Sequence, residues 1–106
     1  MYGIYACLDD KGDTMYVGSS GISLEKLERN HRNYYKYNDG YESNFRKNLR
    51  YNGENWTFKW IQEPRCVSRR QIEIEEGALI RLLDPEFNID YYPFEHSVKR
   101  GRMESV

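Results

Sequence analysis

Tyr2-Gly3-Ile4-Tyr5-Ala6-Cys7-Leu8, then Asp9-Asp10-Lys11-Gly12-Asp13, then Thr14-Met15-Tyr16-Val17-Gly18 is the stretch from which the rest of the fold follows. The outer pieces are rich in β-formers, and the polar piece between them carries Gly12 near its tip, so the chain reads as a β-hairpin. In a hairpin this short Tyr5 and Tyr16 fall on neighbouring strands, and where the register allows they emerge on one face within reach of one ligand. Gly18-Ser19-Ser20-Gly21 follows as flexible backbone with free N–H groups, and Ser23 is placed to cap a helix beginning near Leu24. A strand, a glycine turn and a helix start together form a candidate anion site.

Further along, Phe45, Leu49 and Tyr51 follow a rough helical stripe over 42–51, and Asn52-Gly53-Glu54-Asn55 supplies the stop. Trp56, Phe58 and Trp60 alternate with Thr57 and Lys59, which predicts a third strand with one buried aromatic face. Ser68 with Gln71 three residues later is a capping-box start for a helix running to about Leu83, where Pro85 ends it. The expected architecture is α+β: a small three-stranded antiparallel sheet flanked by about three helices, in the order strand, strand, helix, helix, strand, helix.

With 106 residues and 39% apolar content the chain suffices for one domain with a modest core, expected over 1–90, and leaves no room for a second. The remainder, 91–106, is polar, carries Gly101 and alternating charge, and reads as a partly ordered tail in which Tyr91-Tyr92-Pro93-Phe94 could pack on the domain. Cys7 and Cys66 are too few for a disulfide framework and are expected to be buried, reduced small hydrophobes. No apolar run approaches membrane-spanning length and Met1-Tyr2-Gly3 does not open a signal peptide, so a cytoplasmic protein without membrane association is expected.

Helix geometry singles out two acidic residues and one histidine. At about 100° per residue, Ile72, Leu79, Ile80, Leu82 and Leu83 define the inward arc of the last helix, and Glu75 and Glu76 both fall inside it. Carboxylates on such a face need a partner, either an arginine or a divalent cation that prefers carboxylate and water oxygens. On the first helix, Leu24, Leu27, Tyr34 and Tyr35 form one stripe with His31 in its middle. There a histidine serves either as a packed, hydrogen-bonded core residue or as a functional group. His96, in the tail, has no comparable setting.

Gly3-Ile4-Tyr5, ten residues between the tyrosines, and Tyr16-Val17-Gly18 resemble the paired signature of GIY-YIG nucleases. The element order over about 2–90 is similar to that family's catalytic domain, and the closing Leu83-Asp84-Pro85-Glu86-Phe87-Asn88 resembles its last segment, in which an aromatic residue precedes an asparagine. The resemblance implies a metal-dependent endonuclease acting on DNA. It also chooses between the two glutamates, because the family's metal-binding glutamate stands one turn before an apolar residue and twelve before the asparagine, matching Glu76, Ile80 and Asn88. By the same resemblance Tyr5 would activate water, Tyr16 would orient water or phosphate, His31 would relay a proton or bind phosphate, Glu76 would hold one Mg²⁺ or Mn²⁺, and Asn88 would brace the site.

The most serious departure from the family's pattern is at Leu27, which stands where the family carries an arginine one turn before that histidine or tyrosine. Lys26 would match with no residue inserted after Gly18, and Arg29 with a longer insertion, but they lie about 140° and about 160° around the helix from His31. Arg46 or Arg50 on the second helix could substitute in space. Net charge is −1, so nucleic-acid binding must come from local asymmetry. Ser19 in the glycine turn and Arg46, Lys47 and Arg50 are the candidate phosphate contacts, and Arg65, Arg69, Arg70, Lys99, Arg100 and Arg102 form further basic groups. Tyr34, Tyr35, Tyr37, Tyr41, Tyr91 and Tyr92 are interleaved with them and offer surfaces for sugar or unpaired bases. Cutting both strands needs two sites, which leaves room for a homodimer. The alternative reading is a catalytically weak or inactive relative that binds nucleic acid or a protein partner.

Overall fold

A computed structural model describes residues 1–33 and 43–88. The elements are β1 (Tyr2–Leu8), β2 (Thr14–Ser20), α1 (Leu24–Arg32), α2 (Asn44–Asn52), β3 (Thr57–Arg65) and α3 (Arg69–Leu83). The sheet is antiparallel in the order β2-β1-β3. This is the expected α+β architecture and element order. The expected tail lies outside the described residues, as do Tyr34, Tyr35, Tyr37, Tyr41, Tyr91, Tyr92, His96, Lys99, Arg100 and Arg102.

Local chemistry sets the boundaries. Asp9 closes the hairpin by accepting hydrogen bonds through Oδ1 from the N–H groups of Lys11 (2.9 Å) and Asp13 (2.8 Å), with Gly12 at φ 88° taking the left-handed step. Serine hydroxyls cap each helix among the described residues: Ser23 accepts from Lys26 N–H, Ser43 from Arg46 N–H and Ser68 from Gln71 N–H. The second helix therefore starts at Asn44, two residues later than the stripe suggested, because Ser43 is its cap.

Central β1 is buried on both faces, as expected of a strand with helices above and below. Tyr5, Cys7 and Phe58 pack with Leu27 of α1 and with Phe45 and Leu49 of α2. On the other face Ile4, Ala6 and Val17 pack with Ile72 and Ile80 of α3. Arg32 ties the helical layer together, donating to Glu28 (2.8 Å) and to the carbonyls of Gly53 (2.9 Å) and Trp56 (3.0 Å). It fixes the end of α1 against the exit of α2.

Three expectations need correction. β3 continues beyond Trp60 to Arg65 through a polar segment containing Pro64. An edge strand tolerates proline, and Gly3 makes room for its irregular pairing: a Cβ on Gly3 would lie 2.7 Å from the Gln62 carbonyl oxygen and 2.8 Å from the Pro64 nitrogen. On α3 only Ile72, Glu76 and Ile80 are buried, while Leu82 and Leu83 are exposed. The contact stripe is one i, i+4, i+8 line, and Leu82 points about 160° away from Ile80. Cys7 is buried, which pushes its thiol up to about 12, but Cys66 is exposed in the connection between β3 and α3. Among the described residues no helix is long and apolar enough to cross a membrane.

Candidate active site

The hairpin register pairs Tyr5 with Gly18 and Cys7 with Tyr16. Tyr5 and Tyr16 are thus diagonal neighbours on one face, with ring centroids 6.1 Å apart. The Tyr5 ring crosses β2 at its glycine: a Cβ on Gly18 would stand 2.5 Å from the phenolic oxygen and 2.6 Å from Cζ. Glycine at this position is therefore a steric requirement for where the hydroxyl sits. Around that ring Phe58 stacks at 6.1 Å and Trp60 meets it edge-on at 6.5 Å. Tyr16 stacks on Phe45 at 4.1 Å.

His31 is buried within this aromatic box and is hydrogen-bonded at both ring nitrogens. Its Nε2 lies 2.9 Å from the Tyr5 hydroxyl, and its Nδ1 accepts from Arg46 Nε at 3.0 Å. Burial, with the Arg46 guanidinium beside it, lowers the imidazole from 6.5 to about 3, so the ring is neutral. Burial raises Tyr5 well above its ordinary value, with Tyr16 and Glu76 adding to the effect and Arg46 opposing it. The resting site holds a neutral phenol against a neutral imidazole.

From α3, Glu76 enters the same place. It stands on the buried line between Ile72 and Ile80, and its side chain is buried there. Its neighbour Glu75 resolves differently: Arg65 and Gln71 both donate to its carboxylate and hold it below its usual range. Glu75 thus has the kind of arginine partner expected of a carboxylate on this face. A cavity of about 360 Å³ opens over Glu76, lined by Tyr5, Tyr16, Gly18 and Ser19, with Arg69 and Glu73 at its mouth. It draws phenols from one face of the sheet and a carboxylate from the helix on the other. The two meet at edge strand β2, where Gly18 has no side chain to separate them.

Could this donor set hold a hard divalent cation? Among the described residues no three His, Cys, Asp or Glu side chains cluster into a metal cage. A buried carboxylate lining a polar cavity suits a cation that keeps most of its water and takes its remaining oxygens from a phosphate, as Mg²⁺ does. Such a group would take Glu76 as its protein ligand.

Asn88 is buried and reaches across to the outer edge of β2. Its Oδ1 accepts from Val17 N–H (2.8 Å) and its Nδ2 donates to the Val17 carbonyl (2.8 Å), while Phe87 N–H bonds to the Met15 carbonyl (2.9 Å). The chain after α3 thereby imitates a partner strand, and it clamps the residue between Tyr16 and Gly18. Ser19 lines the cavity as well. Lys26 and Arg29, both candidates from sequence, are exposed on α1 while Leu27 lies in the core. Neither occupies the buried face of α1 that carries Leu27 and His31. On α2 Arg46 turns inward to His31, Lys47 is exposed, and Arg50 lies over the Tyr51 ring at 4.5 Å. Sequence reasoning missed Arg69 at the cavity mouth, where it pairs with Glu73 at 3.2 Å; its membership of a basic cluster was the available signal. In comparisons with known protein families and with curated proteins, the chain matches no family model and no curated sequence.

Proposed function

We propose that this chain is a metal-dependent endonuclease of the GIY-YIG type, a cytoplasmic enzyme that hydrolyses DNA phosphodiester bonds. The observation that carries the reading is the convergence of Tyr5, Tyr16, Ser19 and buried Glu76 on one cavity. Phosphodiester hydrolysis needs a water stripped of a proton, stabilised charge on the phosphoryl oxygens and help for the departing 3′ oxygen. Glu76 would hold one Mg²⁺ or Mn²⁺, which when bound neutralises charge on the phosphate and the leaving oxygen. Tyr16 and Ser19 line the wall where phosphoryl oxygens would sit, and Tyr5, once ionised, would take the proton from water. Asn88 keeps β2, and with it Tyr16 and Gly18, in position. Arg46 would bring beside Tyr5 the positive charge that Leu27 does not, and Lys47 and Arg50 would extend it along α2 for the DNA backbone.

Leu27 favours the second reading, a catalytically weak relative that binds nucleic acid or a protein partner. It is a core residue, so α1 sends no cation into the site. Arg46 answers that deficit from another helix, which keeps hydrolysis as the preferred reading. The test is incubation of end-labelled linear, nicked and branched DNA with the protein in Mg²⁺, in Mn²⁺ and in a chelator. Cation-dependent cutting that leaves discrete products supports the nuclease. Retardation of DNA without cutting on any substrate turns the choice to the binding reading.

A further inference from the structure

The direction of the Tyr5–His31 hydrogen bond follows from who stands on the other side of the ring. An arginine Nε–H can only donate, so Arg46 obliges His31 Nδ1 to accept. A neutral imidazole then carries its proton on Nε2, and Nε2–H donates to the Tyr5 oxygen. A Tyr5 donor bond to Nε2 would leave a ring with both nitrogens bare, an imidazolate, which the buried site does not support. We infer that Arg46 is a positioning residue: it locks His31 as the Nε2–H tautomer and so turns the phenolic proton of Tyr5 away from the histidine, toward the cavity over Glu76.

This assigns Arg46 a task different from touching phosphate, and it changes what the neighbouring groups do. His31 already bears a proton on the nitrogen that faces Tyr5, and its other nitrogen is held by Arg46, so it does not take the Tyr5 proton. For Tyr5 to act as a base, its O–H bond must first break outward, with the proton passing to hydroxide in the cavity to give phenolate and water. The phenolate keeps the hydrogen bond from His31 Nε2–H, and it then takes one proton from the attacking water and returns to the phenol. His31 is a fixed donor rather than a relay. The catalytic consequence rests on the nuclease reading above, whereas the hydrogen-bond direction does not.

The chain has two histidines, His31 and His96, so a long-range ¹H–¹⁵N correlation spectrum of the ¹⁵N-labelled full chain contains two imidazoles, and His96→Gln assigns them. The expected result is His31 as the Nε2–H form, in excess over the other tautomer by about tenfold or more, as a net hydrogen bond to a charged donor implies. Arg46→Lys keeps a donor at Nδ1 and retains that form. Arg46→Glu places an acceptor there, and His31 changes to the Nδ1–H form or to the imidazolium. An Nδ1–H signal for His31 in the parent overturns the inference without need of any variant, as does an undiminished Nε2–H form in a folded Arg46→Glu protein. A protein with the predicted tautomer that cuts no DNA defeats the nuclease reading alone.

Discussion

Gly18→Ala adds one methyl group at the point where the site has no space for it. The new Cβ would stand 2.5 Å from the Tyr5 oxygen, and restoring an ordinary contact of 3.4 Å requires that oxygen to move by about 0.9 Å. The phenol has little freedom to do so, being packed against Phe58, Trp60 and Tyr16 and bonded to His31 at 2.9 Å. Overpacking of this kind costs about 1–3 kcal/mol, and leaving a buried hydrogen-bonding group unpaired adds about 1–3. The smaller backbone entropy of alanine offsets roughly 0.5–1 kcal/mol. A net destabilisation of about 1–5 kcal/mol is expected, read by urea unfolding followed through the fluorescence of Trp56 and Trp60. In the same protein the His31 Nε2–H signal should shift as its bond to Tyr5 lengthens. Stability within about 0.5 kcal/mol of the parent, with that signal unmoved, would refute the steric account of Gly18.

The same change at Gly77, half-buried within α3, should act in the opposite sense, because its Cβ would meet only the Arg81 guanidinium, at ordinary contact distances of 3.8 Å to Nη1 and 4.0 Å to Nη2. Gly77→Ala is expected to stabilise the fold by about 0.5–1 kcal/mol in the same urea assay. Asn88→Ala removes both side-chain bonds to Val17 and should destabilise by about 2–4 kcal/mol, seen as loss of exchange protection at the Val17 amide. His31, surrounded by Tyr5, Tyr16 and Arg46, falls from 6.5 in the unfolded chain to about 3 in the folded protein. Unfolding therefore takes up a proton between those values. The stability it contributes is present above about pH 6.5 and is lost as pH falls toward 3, at up to about 1.4 kcal/mol per pH unit. Equilibrium unfolding of parent and His31→Gln between these pH values should show that slope only in the parent.

What was legible in the chain was local. The serine caps, the Asp9 turn, the alternation of Trp56, Phe58 and Trp60 and the proline after α3 each act within a few residues, so spacing revealed them. The two glycines of the opening stretch were visible as residues but not as contacts. Gly3 answers to Pro64 and Gly18 to the Tyr5 ring, and both approaches exist only once strands pair. Period alone put Glu75 and Glu76 on one arc. The distinction came from Arg65 at the end of β3, which takes up Glu75 and leaves Glu76 facing the cavity. Leu82 and Leu83 looked like core for the same reason, since a helix that rests on a sheet along one line buries fewer positions than its apolar content suggests. Arg46 and His31 are fifteen residues apart, and their side chains meet only because Arg32 and the packing of Leu27 on Phe45 bring α1 and α2 together.

The central claim is that the cavity over Glu76 hydrolyses phosphodiester bonds, and the most direct measurement compares parent, Glu76→Gln and Tyr5→Phe proteins on supercoiled plasmid in Mg²⁺. Both substitutions nearly keep the volume of the side chain, so both proteins should fold. The account predicts that the parent relaxes or linearises the plasmid and that each variant is slower by about 10²–10⁴. Parent-like cutting by folded Glu76→Gln, or no cutting by the parent at any concentration tried, would contradict it.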